Sequence, residues 1–140
     1  MTIEIDKLKG KTMFFVEQIG NRKIALYCQD GHIYEMLHIQ DCCESVSIED
    51  VEGELEDLVG TEILLAEERS KRKKGGEYES ATWTFYTLAT TKGYVTIRWF
   101  GESNGYYSEK ADIEMSPIKT AEWRDKKLEI LGIRDEEDKL

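Results

Sequence analysis

Apolar and polar residues alternate with a period of two over several stretches of this chain, and that period predicts strands. Lys23–Gln29 alternates without a break: Ile24, Leu26 and Cys28 share one face, Lys23, Ala25, Tyr27 and Gln29 the other. Asp30-Gly31 follows, a pair able to take the positive φ of a tight hairpin turn. His32–Ile39 returns with Ile33, Leu37 and Ile39 on one face and His32, Tyr34, Met36 and His38 on the other. Upstream, Lys11–Ile19 alternates loosely around Met13, Phe14, Phe15 and Val16 and ends at the turn-forming Gly20-Asn21. Together these stretches predict a three-stranded antiparallel meander.

The middle of the chain is less regular. Ser45–Val51 continues as a short strand carrying Val46 and Ile48, and residues 53–60 read as one acidic helical turn bounded by glycines. Glu62–Glu67 predicts a compact strand around Ile63-Leu64-Leu65-Ala66. Residues 69–80, with Lys71-Arg72-Lys73-Lys74-Gly75-Gly76, read as a flexible basic loop, because like charges repel and nothing apolar is there to bury. A second meander follows. Ala81–Ala89 sets Trp83, Phe85 and Ala89 against Thr82, Thr84, Tyr86 and Leu88. Tyr94–Phe100 sets Val95, Ile97 and Trp99 against Tyr94, Thr96, Arg98 and Phe100, and Tyr106–Met115 completes it. After Pro117 a helix is predicted over 120–131 with Ala121, Leu128 and Leu131 as its apolar stripe, then a charged tail over 133–140. The expected fold is one α+β domain over 1–140, mostly antiparallel sheet in two meanders forming a sandwich or bent sheet, with a C-terminal helix.

Composition agrees with a folded globule: 40% of the 140 residues are hydrophobic, and one proline leaves room for long strands. Net charge is −10, which disfavours general affinity for nucleic acid or anionic membranes. No apolar run nears the roughly 20 residues that span a bilayer, and no secretory signal opens the chain, so a cytoplasmic setting is expected. Three cysteines there are expected as reduced thiols. A Cys42–Cys43 bridge closes a strained eight-membered ring and is not expected as a permanent feature.

Three constellations are candidates for chemistry. His38, Cys42 and Cys43, flanked by Asp41 and Glu44, offer imidazole and thiol ligands. Zinc wants about four such ligands, and adjacent strand residues point to opposite faces, so metal binding is the alternative and packed side chains the main reading. The anionic neighbours also oppose formation of a nucleophilic thiolate. Next, Ile24–Glu68 contains no Lys or Arg and thirteen Asp and Glu. Its belt of Glu49, Asp50, Glu52, Glu54, Glu56 and Asp57 is suited to steering a basic partner surface. Finally, Tyr86, Tyr94, Arg98 and Phe100 offer a ligand-stacking face, while Ser103, Asn104, Tyr106 and Tyr107 have the character of interface anchors. No phosphate loop, Walker motif or dinucleotide fingerprint accompanies them, and no cofactor is implied.

The blocks His38-Ile39-Gln40-Asp41-Cys42-Cys43-Glu44-Ser45-Val46, Ile48-Glu49-Asp50-Val51, Thr82-Trp83-Thr84-Phe85-Tyr86, Lys92-Gly93-Tyr94-Val95-Thr96-Ile97-Arg98-Trp99 and Gly101-Glu102-Ser103-Asn104-Gly105-Tyr106-Tyr107-Ser108 carry a resemblance. Over about Leu8 to Glu114 the chain resembles an uncharacterised domain family common in bacteriophage genomes. That likeness implies a phage or prophage origin and a bacterial host cytosol, and it implies no activity. The expectation is a non-enzymatic acidic protein that inhibits or modulates a host or defence macromolecule. Its expected partner is a protein with a basic surface, with no direct nucleic-acid binding, no membrane, and homo-oligomerisation left open. The alternatives are a binder of a small nucleotide signal at Tyr86, Tyr94, Arg98 and Phe100 and, less favoured, a metal-dependent activity at His38, Cys42 and Cys43.

Overall fold

The computed structural model describes residues 1–75, 79–123 and 125. Its strands in chain order are β1 (Thr2–Ile3), β2 (Met13–Ile19), β3 (Lys23–Cys28), β4 (His32–Leu37), β5 (Ser45–Glu52), β6 (Leu65–Lys74), β7 (Ser80–Thr90), β8 (Gly93–Ser103) and β9 (Asp112–Pro117). They build a five-stranded sheet in the order β1-β9-β4-β3-β2 and a four-stranded sheet in the order β5-β8-β7-β6, every strand pair antiparallel. The first meander forms as β2-β3-β4. Of the second, the strands expected over 81–89 and 94–100 pair as β7 and β8, and β6 rather than the expected third stretch completes a meander with them. The stretch expected to close the second meander instead crosses over as β9 to pair with β4, Met36 facing Ile113.

The strict alternation in β3 explains why two sheets are needed. Ile24, Leu26 and Cys28 join Tyr34 and Met36 in the main core, which the second sheet completes with Val46, Ile48, Leu88, Val95, Ile97 and Trp99. Ala25 and Tyr27 point the other way into a smaller cluster with Phe14 and Ile33, covered by Ile118 and Trp123. Trp123 lies over Phe14 with ring centroids 4.8 Å apart. The first sheet is therefore buried on both faces. Among the described residues the outer face of the second sheet has no such cover.

At the β3–β4 hairpin Gly31 takes φ 88°, a conformation that side chains resist. The Asp30 carboxylate braces that turn, accepting from the His32 amide at 2.9 Å, Tyr34 Oη at 2.7 Å and Lys11 Nζ at 3.1 Å. The acidic segment after β5 is a single 3-10 turn, Leu55–Leu58, with Leu58 buried.

Two expectations are corrected. Residues 69–74 form strand, not loop: β6 pairs with β7 all the way from Leu65 with Ala89 to Lys74 with Ser80. In a strand, successive side chains leave on opposite faces, so the charges of Arg69, Lys71 and Lys73 stand roughly 6.6 Å apart and repulsion is weak. Cross-strand contacts then favour the pairing, with the Arg69 guanidinium 5.5 Å from the centre of the Phe85 ring. The second correction concerns the tyrosine segment, since 104–111 is not strand and β9 starts only at Asp112. The C-terminal helix begins at Thr120 as expected, but Trp123 makes the contact with the sheet while Ala121 is exposed. Leu128, Leu131 and the tail over 133–140 lie outside the described residues.

Candidate functional site

Residues 38–44 wrap around their own carboxylate. Glu44 is buried and accepts the amides of Cys42 at 2.8 Å and Asp41 at 2.9 Å, Gln40 Nε2 at 3.1 Å, and His38 Nε2 at 2.8 Å. His38 Nδ1 meets the Lys110 carbonyl at 2.8 Å, so both ring nitrogens face oxygens. Burial opposes ionisation of Glu44, but the amide and imidazole bonds outweigh it and bring the carboxyl down to about 2. Within this turn Cys42 and Cys43 are joined in a disulfide, against the expectation of free thiols; the fold around Glu44 sets the turn in which neighbouring side chains meet. Cys28 is free and buried in the core, where burial pushes its thiol up. His38, Cys42 and Cys43 do not assemble a metal centre. No group of three or more His, Cys, Asp or Glu among the described residues is placed to hold an ion.

The expected partner surface divides. Ser45 pairs with Glu102 at one end of β5 and Glu52 pairs with Thr96 at the other, roughly 23 Å away, so the acidic belt begins mid-strand at Glu49 and Asp50 beside Arg98 and runs away from the tyrosine loop. Glu49, Asp50, Glu52, Glu54 and Glu56 are exposed, and Asp57 is half-buried against β7, where its carbonyl accepts from Thr90. In the loop, Ser103 is committed to the fold: its hydroxyl donates to the Glu109 carboxylate, as do Thr82 Oγ1 at 2.7 Å and Ser80 Oγ at 3.0 Å. Burial pushes the Glu109 carboxyl up, and these three hydroxyls together hold it below its ordinary value. Asn104 Oδ1 accepts the Tyr106 amide at 3.0 Å, Tyr106 is 86% exposed, and Tyr107 borders depressions of about 560 and 320 Å³ on either side.

The ligand-stacking set also separates. Tyr86 faces inward, 1% exposed, and its hydroxyl donates to the Ala111 carbonyl at 2.8 Å. Tyr94, Arg98 and Phe100 lie on the outer face, where the register sets Arg98 beside Phe85 and Phe100 beside Trp83. Sequence reasoning missed Trp83 and Phe85 as members of this face. The signal was present: a two-residue turn at Thr91-Lys92 pairs Thr90 with Gly93, and counting outward from it puts Phe85, not Tyr86, opposite Arg98.

The outer face is thus a continuous arrangement of half-buried rings among cations. Trp83 and Phe100 sit 5.0 Å apart, and Arg69 covers Phe85. Lys71 pairs in register with Trp83 and Lys73 with Ala81. Arg98 Nε lies 2.9 Å from Glu49 Oε1. Lys71, Trp83, Phe85, Arg98 and Glu49 enclose a shallow depression of about 280 Å³. Such a surface suits stacking of planar groups and pairing with anions.

No helix among the described residues is long and apolar enough to cross a membrane. No curated protein and no solved structure matches the chain. A family model does match, over residues 6–113, and the matched segment contains both the Glu44-centred turn and the aromatic face. The chain belongs to the domain of unknown function family DUF7448.

Proposed function

We propose that the chain is a non-enzymatic binding protein of bacteriophage type, acting in a host cytosol, which modulates a host or defence macromolecule by docking it on the outer face of the second sheet. The observation that carries this reading is the unequal treatment of two similar faces. Ile118 and Trp123 cap the aromatic outer face of the first sheet, whereas the half-buried Trp83 and Phe100 on the second have no such apolar cap among the described residues and Phe85 has only the Arg69 guanidinium over it. Large rings left at a surface are characteristic interface anchors. The non-enzymatic part is supported by the commitments of two reactive groups: His38 is bonded through both nitrogens, and Cys28 is buried.

A second reading rests on the acidic rim. Glu49, Asp50, Glu52, Glu54 and Glu56 are all exposed along β5 and the turn after it, and they suit a basic protein surface whose association weakens with salt.

One experiment separates the two. A photo-crosslinking phenylalanine analogue is placed at Ala81 on the face, at Glu54 on the rim, or at exposed Lys9 as control, and irradiated in bacterial lysate. Discrete macromolecular adducts from Ala81 alone are expected. Adducts from Glu54 alone would transfer the function to the rim, and an Ala81 pattern identical to that of Lys9 would end the proposal.

A further inference from the structure

We infer that the macromolecule received by the outer face of the second sheet is a short segment of single-stranded nucleic acid. Its bases stack on Trp83, Phe85 and Phe100 while its phosphates follow Arg69, Lys71 and Lys73 along β6. This rests on the reading of that face as a docking surface and adds the chemistry of the occupant.

Arg69 stands beside Phe85, Lys71 beside Trp83 and Lys73 beside Ala81, so one row of cations runs directly along one row of rings. At about 3.3 Å per residue the cation row extends roughly 13 Å, enough for a few successive phosphates. The next row inward holds Arg98 and Phe100 on β8, which widens the ring platform to two strands. Sequence-tolerant single-strand binders combine these two elements, a cationic track for the backbone and rings for unstacked bases.

The cations are available. Among the described residues Arg98 pairs with Glu49, but no ion pair engages Arg69, Lys71 or Lys73. Every residue from Glu67 to Lys74 is exposed. Among the described residues no carboxylate is ion-paired with these three cations, since Glu49, which borders the depression beside Lys71, is paired with Arg98. The half-buried rings of Trp83 and Phe100 have no cation over them, while Arg69 lies over Phe85. Phosphate supplies the first need and a nucleobase the second.

The net charge of −10 points the other way only if it acts uniformly. From β6 to the acidic edge at β5 is three strand spacings, roughly 14 Å at about 4.8 Å each. The screening length at physiological salt is about 8 Å, so the track is felt at contact and the rim beyond Glu49, whose own carboxylate reaches the Lys71 depression but is paired with Arg98, is largely screened. The rim instead repels the backbone from the wrong edge and so orients the strand. A duplex fits less well, because its bases are already stacked and a broad sheet face does not enter a groove. An acidic peptide could meet the cations but would leave the rings without planar partners.

The test uses the whole chain and a labelled oligonucleotide of about 8 nucleotides, within the ~4–16 that comparable platforms engage. Anisotropy reports affinity, and indole fluorescence reports the face. The single strand is expected to bind and to quench Trp83. Trp83→Phe should bind with similar affinity but lose the quench, since a ring remains and the indole does not. Trp83→Ala and Lys71→Glu should each weaken binding roughly tenfold, with circular dichroism confirming that each variant is folded. With three phosphates engaged, a roughly fourfold rise in salt should weaken binding by about 20-fold, from ~0.7 counterions released per phosphate. Equal affinity for duplex, for polyphosphate or for an acidic peptide would overturn the proposal, as would binding that Lys71→Glu leaves intact. Failure here is distinct from failure of the docking reading: nuclease-resistant protein adducts from the crosslinker at Ala81 would keep the face and reject the nucleic acid.

Discussion

Three carboxylates anchor loops in this fold, and each draws its donors from a different range of the chain. Asp30 braces a hairpin through His32 and Tyr34 within it, with Lys11 added from before β2, and its pairing with Gly31 is readable as a turn from two adjacent letters. Glu44 gathers residues 38–42, all within six positions, yet the adjacent cysteines and histidine attract attention to themselves and hide the acid that organises them. Glu109 collects Ser80, Thr82 and Ser103 from two strands, and no local pattern announces it. Glu109→Ala should therefore strand several hydroxyls and cost about 1–3 kcal/mol in a denaturant titration. An unchanged midpoint would show that Glu109 does not hold the loop. Gly101 is a second lock on the same loop, because a Cβ there would collide with the Glu109 carbonyl. Gly101→Ala should destabilise the chain although its backbone needs no unusual angle, and a cost within about 0.5 kcal/mol of zero, the size of a neutral surface change, would contradict that close approach.

At the scale of elements, clean alternation was a reliable guide and charge was not. The first meander was legible because β3 alternates strictly and Asp30-Gly31 turns the chain back into β4. In β6 the run Arg69–Lys74 carries no apolar residue, so hydrophobic periodicity has nothing to register and repulsion suggests a loop. The strand owes its form to β7, whose rings and backbone it borders. β7 itself was identified as a strand but with its faces exchanged: both of its faces carry aromatic residues, so composition leaves the phase open, and only the β7–β8 turn decides it. As an edge strand, β6 should show hydrogen exchange that alternates along Glu67–Lys74, slow at amides directed to β7 and fast at those directed to solvent. Uniformly fast exchange measured by NMR would restore the loop.

For the whole molecule, charge is arranged to oppose itself, and acid should reveal which part of it supports the fold. Repulsion among surplus carboxylates is dispersed over the surface, and at physiological salt most of it is screened beyond about 8 Å. The contributions of Asp30, Glu44, Glu109 and Glu114 are local, because each is held below its ordinary value, 3.8 for the aspartate and 4.5 for the glutamates. A group whose folded value is depressed binds fewer protons folded than unfolded. Its stabilisation is then complete above the unfolded value and is lost as pH falls through the folded one. For Glu44 that window runs from about 4.5 down to about 2. Between pH 7 and 5 the denaturant midpoint should stay level, or rise slightly at low salt as surplus charge is neutralised, and below about 4.5 it should fall steeply. Glu44→Gln should start lower and descend less, since it has already lost the anion that the Cys42 and Asp41 amides and His38 hold. A wild-type midpoint that keeps rising toward pH 2 would mean that general repulsion, not these anchored carboxylates, governs how the chain responds to acid.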